Sequence, residues 1–410
     1  MRLIYSLVFV LTIYSVLSYT QEIKTITIQD AVNLAIENNI QLRKQKYELQ
    51  KIEGITSKAG VLPNPEASFY SEELSNDLLE YNEWTLAGTL PVNFIWDRWS
   101  AVNSSSALYE AELKNFEQIG LEVTTKVRSA FVRYHFIKKM NDGWQNALQL
   151  IEKAKQTALA REEEGEISGY DKQRIQLEYL LYKKNETDSR IALQDAAKEL
   201  SLLIFPMETI AEFNTDFSQI DYFTIPDLEI LQNIARENRS DLQYLNLLLQ
   251  SKSSQLSNEQ LKIIPDLSVT LGYKKQSDDL GGLVYGLNLG IPLFNRNRGN
   301  IEIVEAELNQ QKLDVESIGR EIEYEVINSH NSLLEYTNQL RTIEEYDFLS
   351  TNDIIDIAEY SYEEGEMSLL EMIDALRAYT DAFKLKNELL INYYNSYFQL
   401  ELAVGKEFNQ

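Results

Sequence analysis

Side chains able to bind a metal, move a proton or attack a carbonyl are few in this sequence, and they do not converge. His135 and His330 are its two histidines. Neither has a second ligand three or four residues away, the spacing that would put two donors on one helix face. Both read as helix-surface or seam residues. Met367 and Met372 stand close together, with Met140 and Met207 elsewhere; thioethers could relay a soft metal, but packing explains them more simply. Gly281, Gly282, Gly286 and Gly290 do not open a helix, so they cannot cradle a phosphate and fit a curved strand instead. Cysteine is absent, which excludes disulfides, thiolate metal sites and a lipid-bearing cysteine. The sequence therefore predicts no enzyme, no cofactor and no metal site. What remains is carboxylate chemistry. Glu371 and Asp374, three residues apart, share one face of a helix, where solvation is their simplest role.

The elements that would position these groups follow from charge, repetition and punctuation. With 64 acidic against 38 basic residues the net charge is -26, and no nucleic-acid partner is expected because nothing would neutralise phosphates. Met1-Arg2, the apolar stretch Leu3 to Leu17 and the small residues that follow predict a secretory signal over 1–18, cleaved after Ser18 or Thr20. Beyond it no apolar run is long enough for a spanning helix.

The chain repeats itself at an offset of 200 residues: Asn33, Ala35, Glu37, Asn38 and Leu42 recur as Asn233, Ala235, Glu237, Asn238 and Leu242. Pro65 and Ser68 return as Pro265 and Ser268, and the Glu-Glu-Gly-Glu-x-Ser stretch from Glu163 to Ser168 returns from Glu363 to Ser368. This is a duplicated half-molecule rather than a solenoid of short repeats. The expected organisation is a first repeat over 19–205, a mixed polar and aromatic linker over 206–226 and a second repeat over 227–410.

All seven prolines cluster, leaving Val92 to Phe205 and Leu293 to Gln410 free of them, so long helices can run there. Val315, Ile318, Ile322, Val326, Ser329, Leu333, Tyr336, Leu340 and Ile343 keep 3/4 spacing and predict a coiled-coil-like seam. A helix from Asn297 to Ser361 would reach about 100 Å at the helical rise. The proline pairs bracket period-two segments. Leu267, Val269, Leu271 and Tyr273 alternate with small or polar residues, as do Leu283, Tyr285, Leu287 and Leu289, which predicts strands over about 266–274 and 283–291. The first repeat carries a weaker copy over about 66–74 and 83–91. Each half thus reads as helix, strand, strand, very long helix, glycine-bearing tip and helix.

At about nine residues each, the strands suffice to cross a bilayer at a tilt. Four strands cannot stand alone in hydrocarbon, because an open sheet exposes unpaired backbone groups. Closure must come from further copies, at least two chains per barrel of about eight strands. Ser268, Thr270, Gly286 and Asn288 on the polar face suit a wet lumen. Two other readings compete: a soluble periplasmic coiled-coil adaptor, which should not expose the apolar strand face, and a periplasmic enzyme, which lacks a site.

Three segments, Ile28-Gln-Asp-Ala-Val-Asn-Leu-Ala-Ile-Glu-Asn-Asn39, Leu62-Pro-Asn-Pro-Glu66 and Gly286-Leu-Asn-Leu-Gly-Ile-Pro-Leu-Phe-Asn-Arg-Asn-Arg-Gly-Asn-Ile301, resemble the TolC family of outer-membrane efflux ducts, most closely its cation-efflux (CusC/CzcC-like) branch. The resemblance implies a mainly α fold with a small β part: a homotrimer whose duplicated helical hairpins form an α-barrel tunnel through the periplasm and whose four strands per chain build a 12-stranded transmembrane β-barrel. It implies an outer-membrane exit duct for heavy-metal cations, or alternatively for drugs or other small molecules, working with a periplasmic adaptor and an inner-membrane resistance-nodulation-division pump. It further implies that Glu371 and Asp374, with Tyr362 before the second tip and Asp171 in the first repeat, belong to the periplasmic aperture. Gly165, Ser168, Gly365 and Ser368 at the tips would touch the adaptor. Leu267, Val269, Leu271, Leu283, Leu287 and Leu289 would face outer-membrane lipid. Arg174 stands where a second acid of the first repeat would be expected.

Overall fold

A computed structural model describes residues 25–75, 80–207, 212–217, 222–345 and 351–408, with the side chains of 351–356 left aside. The expected signal segment lies outside the described residues, and so do 346–350, within the stretch expected as one unbroken helix. In chain order the elements are β1 (Thr25–Thr27), α1 (Ile28–Asn38), α2 (Ile40–Gly60), β2 (Glu66–Ser75), β3 (Glu80–Pro91), α3 (Arg98–Glu163), α4 (Gly169–Ile204), β4 (Asn214–Asp216), α5 (Leu228–Asn238), α6 (Ser240–Leu261), β5 (Asp266–Gln276), β6 (Gly281–Gly290), α7 (Arg298–Glu345), α8 (Thr351–Glu363) and α9 (Leu369–Val404). The first helix of each repeat is broken, which the sequence pattern did not suggest. At Asn39 the side chain accepts from the amides of Gln41 and Leu42, capping α2. The matching Arg239 is held in an extended conformation between α5 and α6.

The chain forms two compact units, each drawing on both repeats. The first unit takes β1 and most of α1, α3 from Val127, α4, β4, α8 and α9 up to Ile391. Its core is a stripe of Ala147, Ile151, Ala154 and Ala158 on α3, set against Ile175 and Tyr182 of α4 and Tyr362, Leu369, Met372, Ile373 and Leu376 of the second repeat. The alanines let the helix axes approach closely, and Gly143 extends that contact: a Cβ there would sit 2.5 Å from Cε1 of Phe383. Farther along α3, the Tyr134 hydroxyl donates to the Phe213 carbonyl and accepts from its amide, both at 2.9 Å. That pair brings β4 into place, where it forms a parallel ladder with β1 through Thr25–Asn214, Ile26–Thr215 and Thr27–Asp216. The expected linker thus contains a strand.

The second unit holds a four-stranded antiparallel sheet of order β2-β3-β5-β6 together with α2, α5, α6, α7, the first part of α3 and the end of α9. Its strands run past the expected ends on the loop side. Glu80 and Asn82 have low strand propensity, but pairing with Ser75 and Glu73 draws them into the ladder. Gly272 is required where β5 crosses β3, since a Cβ would meet the Leu86 carbonyl oxygen at 2.7 Å. Every residue of the expected α7 seam, from Val315 to Ile343, is buried or half-buried, and Ile322, Val326, Leu333 and Leu340 are fully buried. Thr337 completes that stripe by returning its hydroxyl to the Leu333 carbonyl at 2.6 Å. Beside α7, Arg239 is buried between Asp241 and Glu325 and donates to the Ala403 carbonyl at 3.1 Å. Breaking such a buried cation from its partners costs roughly 3–5 kcal/mol, so this junction is a fixed point of the unit.

Candidate gate and membrane face

The two tips are closed in the same way around the repeated Glu-Glu-Gly-Glu-x-Ser stretch. At the end of α3 the Glu166 amide returns to the Arg161 carbonyl at 2.8 Å and the Gly165 amide to that of Glu162 at 3.0 Å. Gly165 has a φ of 80°, the left-handed conformation this closure needs. In the second tip the Glu366 amide returns to Ser361 at 2.8 Å and the Gly365 amide to Tyr362 at 3.2 Å, and Gly365 has a φ of 76°. The next helix then starts on a reciprocal cap. Ser168 Oγ donates to Asp171 Oδ2 at 2.7 Å and accepts from the Asp171 amide at 3.2 Å, while the Ser168 amide donates to Asp171 Oδ2. Ser368 and Glu371 repeat the arrangement at 2.7, 3.3 and 2.9 Å.

These contacts give different surroundings to the residues that the resemblance grouped at the aperture. The Glu371 carboxylate is tied to its own first turn, and the Ser368 hydroxyl and amide hold its pKa below the usual carboxylate range. Asp171 is likewise engaged as a cap. Asp374 is exposed one turn farther along, on the same face as exposed Glu371. Tyr362 lies in the core at 2% exposure rather than at a rim. Burial raises its hydroxyl pKa, with the nearby Arg161 charge working the other way. At Arg174, where the second repeat has Asp374, Nε is buried without a hydrogen-bond partner.

Between the repeats run contacts from three basic side chains, two of them ion pairs, that sequence reasoning missed. Arg161 Nη2 donates to the carbonyls of Tyr362 and Glu363, each at 3.1 Å, and its guanidinium lies 5.1 Å from the centre of the Tyr362 ring. Lys153 on α3 pairs with Glu359 on α8 at 2.6 Å, and Arg377 on α9 pairs with buried Glu178 on α4. The 200-residue offset held the clue, since helices related by a duplication and packed side by side bring near-equivalent positions together.

Higher on α3, His135 is no plain surface residue. It contacts Thr215 Oγ1 at 2.8 Å and packs on Phe136 and Phe217 with ring centres 5.2 and 5.3 Å away. Burial, then the charges of Lys139 and Lys138, lower its pKa to about 4. His330 belongs to the second unit. Among the described residues no group of histidine, cysteine or acidic side chains could hold a metal.

In the sheet, register puts Leu267 opposite Leu289, Val269 opposite Leu287, Leu271 opposite Tyr285 and Tyr273 opposite Leu283. Leu86 follows opposite Tyr273, and Phe69 opposite Leu86. All therefore share one face. Leu271, Leu283, Leu287 and Leu289 are exposed, Leu283 at 83%, while Leu267 and Val269 are half-buried. Each such leucine left in water forfeits roughly 2 kcal/mol of transfer free energy. The opposite face carries a polar ladder, in which Thr89 and Thr270 hydroxyls lie 2.9 Å apart and Asn288 donates to Thr270 at 3.3 Å. Among the described residues β2 and β6 each have one strand neighbour, so both edges of the sheet lack a partner there. No described helix is long and apolar enough to cross a membrane.

Residues 231–406 match the family model of the outer membrane efflux protein. Over 358 residues, 86% of this chain and 83% of the other, the sequence is 22% identical to the cobalt-zinc-cadmium resistance protein CzcC of Cupriavidus metallidurans. The fold superposes on that of CusC with a TM-score of 0.75 at 16% identity, covering 93% of this chain and 92% of the other. It also superposes on the Campylobacter jejuni CmeC outer membrane channel with a TM-score of 0.75 at 16% identity, covering 95% and 90%.

Proposed function

We propose that the chain is a member of the outer-membrane efflux (TolC) family, a passive conduit and not an enzyme, and that it serves as the exit duct of a tripartite system exporting heavy-metal cations; the match of its second half to the outer membrane efflux protein and the likeness of its fold to CusC support this reading. The observation that carries the duct reading is the sheet in the second unit: one face exposes a run of leucines and aromatics, the other is hydroxyl- and amide-lined, and both edges lack strand partners among the described residues. In hydrocarbon that sheet is stable only when closed by copies of itself. Three copies give the family's 12-stranded barrel, with Leu267, Val269, Leu271, Leu283, Leu287 and Leu289 against lipid and Ser268, Thr270 and Asn288 inside.

The cation assignment rests on the likeness to the cobalt-zinc-cadmium resistance protein. In this reading a periplasmic adaptor grips the tips at Gly165, Ser168, Gly365 and Ser368, and a proton-driven resistance-nodulation-division pump supplies the energy. Asp374, with Glu371, rings the periplasmic mouth, while the Arg161, Lys153 and Arg377 contacts hold the second-repeat tip against the first. Deleting the gene should sensitise cells to cobalt, zinc and cadmium salts while leaving tolerance to amphiphilic drugs unchanged. Sensitivity to the drugs alone would assign the duct to small-molecule efflux instead.

A further inference from the structure

The charges on the polar face of the sheet are unevenly placed. Along β2, β3, β5 and β6 that face is set by register: Ser68 lies opposite Ala87, Thr89 opposite Thr270, and Ser268 opposite Asn288. These middle positions are uncharged. At the loop end, away from the helices, Glu72 lies directly opposite Glu83. The Glu83 carboxylate accepts from Lys274 Nζ at 2.6 Å and from Gln276 Nε2 at 3.1 Å. It is largely shielded, with 16% of its side chain exposed against 35% for Lys274. Glu72 is exposed and lies within the electrostatic reach of the same ammonium. Among the described strand residues, Lys274 is the one basic side chain on this face; Lys275 points to the other.

We propose that Lys274, one row below the Glu72–Glu83 pair and reaching Glu83 diagonally, sets the ion preference of the duct's outer mouth by offsetting one of those two carboxylates. This rests on the reading of the polar face as a barrel lumen. Per chain this two-row cluster of Glu72, Glu83 and Lys274 carries a net charge of -1, repeated by each copy around the barrel. The wall therefore attracts cations weakly instead of binding them, as an exit needs: an uncompensated double acid ring would hold the divalent cations it should release. A lumen wall acts on ions at the axis only across distances comparable to the Debye length, about 30 Å at 0.01 M salt and 3 Å at 1 M. The effect belongs to low ionic strength.

Reversal potentials of the purified full-length protein in planar bilayers, under a KCl gradient at low salt, test this. Lys274→Gln takes the cluster to -2 per chain and should raise the cation-to-anion permeability ratio roughly twofold or more. Glu83→Gln takes it to zero and should lower the ratio by a similar factor. The double variant Lys274→Gln/Glu83→Gln restores -1 through Glu72 and should return to the wild-type value, and all differences should vanish at 1 M KCl. Channels that conduct but show the same ratio in all four proteins would overturn the role of Lys274 and leave the duct reading intact. A wild-type protein that forms no channels would overturn the duct reading itself. A double variant that departs from wild type as far as either single variant would also contradict the charge account, since it would point to local distortion of the strands.

Discussion

Arg161 and Tyr362, 201 residues apart in sequence and one residue out of step in the duplication, meet through the Arg161 Nη2 donating to the Tyr362 carbonyl at 3.1 Å. The arginine closes the first-repeat hairpin over the carbonyl end of α8, where a positive charge is favoured by the helix dipole. Arg161→Ala removes two charge-assisted hydrogen bonds, on the order of 1–2 kcal/mol after allowance for solvent. Amide exchange over Tyr360 to Glu366 should then quicken about tenfold, with Arg161→Lys in between. Unchanged exchange would show that Lys153–Glu359 and Arg377–Glu178 hold the tip without it.

The two acids of the second tip should behave differently, because one is a cap and the other is not. Ser368→Ala should lower stability by about 1 kcal/mol, as loss of a serine N-cap does. Asp374→Asn should leave the thermal midpoint unchanged and reduce cation preference in single-channel recordings. Glu371→Gln should do both. The lowered Glu371 pKa carries a sign: the cap is intact above the ordinary glutamate range and is lost as pH falls through the lower folded-state value.

His135 adds a second pH dependence. Its folded pKa of about 4 lies below the usual 6.5, so the unfolded chain binds the proton first. The stability gained by keeping the ring neutral is present above about pH 6.5 and is lost as pH falls towards 4. The full shift would correspond to roughly 3 kcal/mol, and the solvent contact the ring retains reduces this to on the order of 1–2 kcal/mol. Lys138, Lys139 and Asp216 are the charges that face it. Denaturant midpoints between pH 7 and 4 should fall less for His135→Gln than for wild type. Equal slopes would mean the ring titrates normally.

If the apolar face of the sheet meets lipid as proposed, Leu271→Arg and Leu287→Arg should impair assembly, since arginine in the middle of a lipid-facing strand costs roughly 2–4 kcal/mol. Ser268→Arg and Asn288→Arg should be tolerated in the wet interior. Outer-membrane yield of the folded species measures both. Equal yields from all four variants would mean that the register does not sort lipid from lumen.

Long elements with one strong period were readable from the sequence. The α7 stripe from Val315 to Ile343 needed only its 3/4 spacing, and β5 and β6 announced themselves through Leu267 to Tyr273 and Leu283 to Leu289. Short elements were not. β1 and β4 have three residues each, too few to show a period, and their pairing depends on Tyr134 and His135 on a distant part of α3. The breaks at Asn39 and Arg239 were hidden for a related reason: at one the Asn39 side chain caps the next helix, and at the other the buried Arg239 side chain is held by Asp241 and Glu325. Tyr362 was placed at the aperture by analogy, but its burial depends on the alanine stripe of α3, which leaves room for a ring against the helix.

Copies of this chain are expected to close one barrel in the outer membrane. Native mass measurement of the protein extracted from the outer-membrane fraction tests it most directly. Three chains per particle are expected, stable until the detergent denatures the sheet. A soluble monomer recovered from the periplasm, with Leu271, Leu283 and Leu287 exposed to water, would contradict it.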